Sequence, residues 1–84
     1  MPRNIKLLAE ETNLASATTV DDAVLVRVYN STSSGILMTM KDTGGTTKGS
    51  ITIPPGEEYD VQKLGSDTLE GGAGLLVVKI AWST

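Results

Sequence analysis

The sequence contains no cysteine, no histidine and no phenylalanine. Without cysteine there can be no disulfide framework, Fe–S cluster, thiol nucleophile or Cys-type zinc site. Without histidine there is no imidazole general base and no imidazole metal ligand. Aromatic residues are scarce, with Tyr29, Tyr59 and Trp82 making up the whole set. Positive charge is scarce too. Seven cations stand against ten carboxylates, the net charge is −3, and the cations are scattered at Arg3, Lys6, Arg27, Lys41, Lys48, Lys63 and Lys79. A nucleic-acid binder needs clustered Lys and Arg to displace counterions, so that class is set aside. No apolar run approaches the roughly 20 residues of a membrane span. The apolar stretch near Leu7 is short and meets Glu10 and Glu11 at once, which is not the pattern of a secretory leader. These absences lead to an expectation of no enzyme activity, no cofactor, no metal, no small-molecule substrate, and neither nucleic acid nor membrane as partner.

What is present reads as strands and turns. The chain has 84 residues, enough for one small domain. Gly, Ser and Thr make up nearly a third of it and gather in polar clusters between apolar stretches. Val24 to Asn30 alternates, with Val24, Val26 and Val28 on one face and Leu25, Arg27 and Tyr29 on the other. Ser31 to Gly35 is a polar loop of hairpin length. Ile36, Met38 and Met40 share a face in the next strand, and Thr43 to Gly49 is a second turn cluster. Ser50 to Ile53 alternates and stops at Pro54-Pro55-Gly56. There Pro55 presets φ and Gly56 supplies the positive φ of a type II turn. Glu58 to Leu64 alternates again. Asp67 to Glu70 reads as a short helical turn capped by Ser66 or Asp67, and Gly71 to Gly74 as a flexible connector. The last stretch, Leu75 to Trp82, is apolar on both faces apart from Lys79, as expected of a central strand. The predicted fold is all-β: a small antiparallel β-sandwich or barrel of six to seven strands. Residues 1–23 are predicted to be an N-terminal arm or edge strand, and residues 24–84 the sandwich domain.

The expected inward set is Val24, Val26, Val28, Ile36, Met38, Met40, Ile51, Ile53, Tyr59, Val61, Leu69, Leu76, Val78, Ile80 and Trp82. That is a small core with no covalent staple, so assembly with other subunits is the natural source of further stability. Apolar residues outside the set are Leu25, Leu37, Leu75 and Val77. With Ile5, Leu7 and Leu8 of the arm and Tyr29, they are the interface candidates.

The chemistry-bearing patterns favour structural readings. Gly44 to Ser50 lacks the Gly-Lys-Ser/Thr spacing of a phosphate cradle and leads into a strand rather than a helix. Asn30-Ser31-Thr32 fits the N-glycosylation sequon, but an Asn closing a strand is ordinary turn chemistry. Asp21-Asp22, Glu57-Glu58 and Asp67/Glu70 read as solvated turn charges, since paired acids need a cleft to act. No Ser or Thr has a histidine partner, and no motif supports a Ser–Lys pair with Lys48, Lys63 or Lys79. Trp82 reads as a core plug.

The stretch Val-Arg-Val-Tyr-Asn at 26–30, the Gly/Thr-rich hairpin, Ile-Thr-Ile-Pro-Pro-Gly-Glu at 51–57, Lys63 before Asp67-Thr68-Leu69, and the closing Val-Lys-Ile-Ala-Trp-Ser resemble small structural proteins of tailed bacteriophages. Those of phages infecting marine cyanobacteria are among the proteins it resembles. The resemblance covers about 60 residues, by the extent of these segments, which are also ordinary sandwich grammar. It implies a virion component made in the host cytoplasm, of the capsid decoration or cement kind. Such a protein would self-associate as a homo-oligomer, grip a major capsid protein, or do both. It transfers no catalytic residue. The other reading of the same chain is a β-sandwich binding module for carbohydrate or a host surface, with Tyr29, Trp82 and the loop Thr43–Gly49 as its candidates.

Overall fold

The computed structural model describes residues 4–83, which form eight strands and no helix. The strands are β1 Asn4–Leu7, β2 Thr12–Leu14, β3 Leu25–Asn30, β4 Ile36–Lys41, β5 Thr47–Ile53, β6 Glu58–Gln62, β7 Thr68–Glu70 and β8 Gly72–Ser83. They build two antiparallel sheets. One runs β1-β8-β3-β6, with β2 also paired to β8; the other runs β5-β4-β7. The fold is a small β-sandwich, as its alternating strands and regularly spaced turns predict. Its smallest extent is 22 Å, what two sheets about 10 Å apart need with side chains on their outer faces.

β8 organises the larger sheet. Along one side it pairs with β3, Val28 facing Val77 and Asn30 facing Leu75. Along the other it takes β1 and then β2, Leu7 facing Ile80 and Thr12 facing Val77. Residues 4–14 are thus edge strands docked on their own sheet. Residues opposite each other in an antiparallel pair share a face. Val26, Val28, Leu75 and Val77 therefore point into the sandwich, where Met38, Ile53 and Leu69 of the smaller sheet meet them. Leu14, Val20 and Ala23 close the end of this core.

The turns explain why the strands stop where they do. Gly56 has φ +74°, and the N–H of Glu57 donates to the carbonyl of Pro54 at 3.2 Å, the turn expected from the Pro-Pro-Gly sequence. In the β4–β5 hairpin Asp42 Oδ1 accepts from the N–H groups of Gly44 and Thr46, at 2.9 and 3.0 Å. The segment before β3 is unusual. Val20, Asp21 and Asp22 all have φ between 54° and 58°, three consecutive left-handed residues with no glycine. The N–H of Ala23 closes this turn on the carbonyls of Val20 and Thr19, at 3.1 and 3.3 Å. Val20 holds its place by burial, at 5 % exposure.

Three local expectations are corrected. Asp67 to Glu70 is not helical: Thr68–Glu70 is β7, paired with Thr39–Lys41 of β4 and bridged at Leu69 to Thr18, because tertiary pairing decides the state of so short a stretch. The Gly-rich segment from Gly72 is the start of β8 rather than a connector. Val24, Ile51 and Trp82 are exposed rather than core. Each lies at a strand end or on an edge strand, where alternation continues past the reach of the opposite sheet.

Candidate functional site

The most distinctive surface is the outer face of the larger sheet. Pairing puts Leu25, Arg27, Tyr29, Leu76 and Val78 on the side opposite the core. Ile80 and Trp82 follow on the same side of β8, beside Leu7 and Ile5 of β1. Leu7 is 70 % exposed, and Tyr29 and Trp82 are each 38 % exposed. Val78 and Ile80 lie lower, buried among longer neighbours, with Arg27 opposite Val78 and Leu7 opposite Ile80. Leu25, Ile80 and Trp82 help line a depression of about 360 Å³ here. An apolar outward face on a sandwich sheet departs from the usual polar alternation.

Charge interrupts that face at one place. Arg27 donates from Nε to Asp60 Oδ1 at 2.8 Å and from Nη2 to Asp60 Oδ2 at 3.1 Å. Glu58 stands 3.7 Å away on the other side. The hydrogen bond to Asp60 raises the Arg27 pKa above its ordinary value, against the opposing effect of burial. The cluster is preorganised across β3 and β6 and gives the apolar face a fixed polar landmark.

Of the interface residues expected from sequence, Ile5, Leu7, Leu25 and Tyr29 meet on this face. Leu8 is 49 % exposed just after β1. Leu37 is 54 % exposed on the outside of the smaller sheet and does not join them. Leu75 and Val77 are core residues with no exposed surface, which corrects their place among the candidates. Leu76, Val78, Ile80 and Trp82, all expected in the core, lie on the other side of β8; Val78 and Ile80 are buried there as expected, but Leu76 is only half-buried and Trp82 is exposed. The apolar residues of β8 fit either phase, and Lys79 does not decide between them. It shares the inward side with Val77, yet its ammonium leaves the sandwich and donates to the carbonyl of Asp21 at 3.1 Å.

A second feature lies on the flank between β5 and β6. A cleft of about 490 Å³ opens between the sheets, with Met38, Met40, Ile51 and Val61 among its apolar walls. Its polar end is built by Lys48, Lys63 and Asp67. Asp67 is buried at 1 % exposure and accepts from Lys48 Nζ at 2.7 Å and from the N–H of Leu64 at 3.1 Å. The Lys48 hydrogen bond lowers the Asp67 pKa despite burial, which pushes it the other way. Lys63 is 6 % exposed and donates to the carbonyls of Leu64 and Gly65, each at 3.2 Å. Burial lowers its pKa, and the charge of Asp67 works in the opposite direction.

Asn30 explains the apparent sequon. It is fully buried, and its Nδ2 donates to the carbonyls of Ser34 and Ile53, both at 2.8 Å. Its Oδ1 accepts from the N–H and hydroxyl of Thr32, at 2.9 and 2.7 Å. That nitrogen is committed to the fold, not offered for modification. Among the described residues no group of His, Cys, Asp and Glu is arranged to hold a metal ion. No family profile, curated protein or solved structure matches the chain.

Proposed function

We propose that the protein is a non-enzymatic structural subunit of a larger assembly, docking through the outer face of its larger sheet. The observation that carries this reading is the second apolar side of β8. A strand buried on one face by its own sandwich carries half-buried Leu76 and exposed Trp82 on the other, beside exposed Leu7 and Tyr29, while Val78 and Ile80 beneath them are already covered by their neighbours. The resemblance to tailed-phage structural proteins gives the proposal its particular form, a virion decoration or cement protein on a lattice of major capsid protein. Homo-oligomers on that lattice would multiply modest contacts into strong attachment. Residues 4–14 are part of the sheet, so truncating them would uncover β8 and test folding rather than docking. Point changes on the outer face are the sharper experiment. Leu7→Glu combined with Tyr29→Glu should leave the far-UV spectrum unchanged and lower the occupancy of purified empty capsids more than tenfold in co-sedimentation, on the order of one lost anchor. Undiminished occupancy would reject the face as the docking surface.

The exposure of Trp82 favours a second reading, a carbohydrate-binding module. Tyr29 pairs opposite Leu76, so Trp82 lies about 20 Å further along β8, at the usual rise for six residues. The two rings cannot stack on one sugar. Saturable quenching of Trp82 fluorescence by an oligosaccharide would favour the module over the lattice subunit.

A further inference from the structure

The two sheets are unequal. The larger has four positions across it, namely the β1/β2 edge, β8, β3 and β6, and the smaller has three. On the β7 flank the chain closes the sandwich itself: Thr18 exchanges backbone hydrogen bonds with Leu69, at 3.1 and 2.9 Å. On the β5 flank nothing does so among the described residues. The cleft walled by Met38, Met40, Ile51 and Val61 lies there, over β6, where a fourth strand of the smaller sheet would run.

The edge beside the cleft suits strand addition. β5 pairs with β4 on one side only, and Gly49–Ile53 keeps a regular register there. Its outer backbone groups form an open hydrogen-bonding row as far as Thr52, the carbonyl of Ile53 being already taken by Asn30 Nδ2. A bulge at Lys48 disturbs the register before Gly49, and Pro54 ends it after Ile53. Edges are commonly protected by charge, and β6 carries Glu58 and Asp60. The one charge of β5, Lys48, is drawn to Asp67 and away from that protective role.

The polar end of the cleft says more about the occupant. Lys48 and Lys63 line the cleft beside one carboxylate, Asp67, and Lys63 also feels the charges of Asp22 and Lys79, which leaves a local excess of positive charge in a chain of net charge −3. An ammonium has three N–H donors. Lys63 uses two on carbonyls and, among the described residues, has no carboxylate within ion-pair distance, and Lys48 uses one on Asp67. An antiparallel strand added to β5 brings its C-terminal end to this corner, because β5 starts there.

We infer that this slot accepts an extended segment of a partner polypeptide as a fourth strand on β5, its alternate apolar side chains filling the cleft and a carboxylate at its C-terminal end meeting Lys48 and Lys63. The main-chain ladder would supply affinity, and the cleft and the two lysines would supply direction and register. This inference does not rest on the outer-face docking proposed above. The two surfaces belong to different parts of the sandwich, and either can fail alone.

The test is a titration with the peptide Thr-Val-Thr-Val-Thr-Val-Asp, with a free C-terminus, followed by amide hydrogen exchange. Saturable binding should slow exchange at backbone amides within Gly49–Ile53. An analogue amidated at the C-terminus, with Asn for Asp, should bind about tenfold more weakly, the usual size of a lost charge-assisted bond. Lys63→Met, which keeps the buried stem, should abolish most of that difference. Ile51→Lys, a change at a half-exposed side chain, should block binding while the fold persists. Several results would overturn the inference: no protection of Gly49–Ile53, protection of Glu58–Gln62 instead, or equal binding of the acid and amide peptides. So would dodecanoate filling the cleft and displacing the peptide without protecting β5. Concentration-dependent protection of β5 with no peptide present would make the occupant a second copy of this chain, and would equally reject the partner segment.

Discussion

Asn30 holds three separate pieces of chain with one buried amide: its own strand, the following loop at Thr32 and Ser34, and the end of β5 at Ile53. Truncating it would leave the buried carbonyl of Ile53 without this donor, while Thr32 and Ser34, which are exposed, can turn to water. Asn30→Ala should therefore lower stability by about 1–3 kcal/mol, read from the urea midpoint, the cost of one unsatisfied buried polar group. Asp67 carries a different kind of prediction. Its pKa is held below the usual carboxylate range, chiefly by the Lys48 hydrogen bond. Folded protein thus takes up this proton less readily than unfolded chain. The stabilisation is complete above the unfolded value of about 4 and is lost as pH falls through the lower folded value. In urea titrations from pH 6 to pH 2, the wild type should lose stability more steeply below about pH 4 than Asp67→Asn, which has no such proton to gain. Parallel curves would remove Asp67 from the acid response.

The strained turn at Val20, Asp21 and Asp22 belongs to the scale of elements. Its job is to bring the chain from the bridge at Thr18 into β3 while burying Val20. Asp21 is exposed and contributes its backbone carbonyl to Lys79, so its side chain is expendable. Asp21→Gly should raise stability by about 0.5 kcal/mol, the relief of left-handed strain less the greater freedom of glycine in the unfolded chain. Thermal melts would show this as a small rise in midpoint. The phase of β8 gives a second element-scale prediction. Leu75→Ala should lower stability by about 2–5 kcal/mol through a core cavity. Leu37→Ala, on the outside of β4, should change it by about 0.5 kcal/mol or less, and chemical denaturation of both variants decides the matter. Such contrasts show which parts of the molecule were legible in sequence. β3, β4 and the Pro54-Pro55-Gly56 turn have alternation or turn chemistry with one solution. β8 has apolar residues of both parities, and Lys79 can reach water from the inward side, so its pattern fits either phase. β7 is three residues long, and only its pairing with β4 makes it a strand. The outer-face residues Ile5, Leu7, Leu25 and Tyr29 were legible as surplus hydrophobics. Leu76 and Trp82 were hidden by that wrong phase.

At the scale of the whole molecule, the two surfaces lie on different parts of the sandwich. The outer face is broad and apolar, with the Arg27–Asp60 cluster as its landmark. The flank beside β5 is narrow, edged by backbone and ended by charge. A protein that meets partners on both could bridge them, as a lattice component must. Solution mass across a wide concentration range, with and without the Leu7→Glu and Tyr29→Glu changes, should show self-association only where the outer face is intact.

β8 also sets the order of events in the life of a chain. It is the partner of β1, β2 and β3, and β6 joins that sheet only through β3. Until residues 72–83 leave the ribosome, β1, β2 and the β3–β6 pair lack the strand that joins them. Folding must wait for the end of this segment and then join strands distant in sequence, which is intrinsically slow. Meanwhile the apolar strands are open to passing chaperones and to neighbouring nascent chains on the same message.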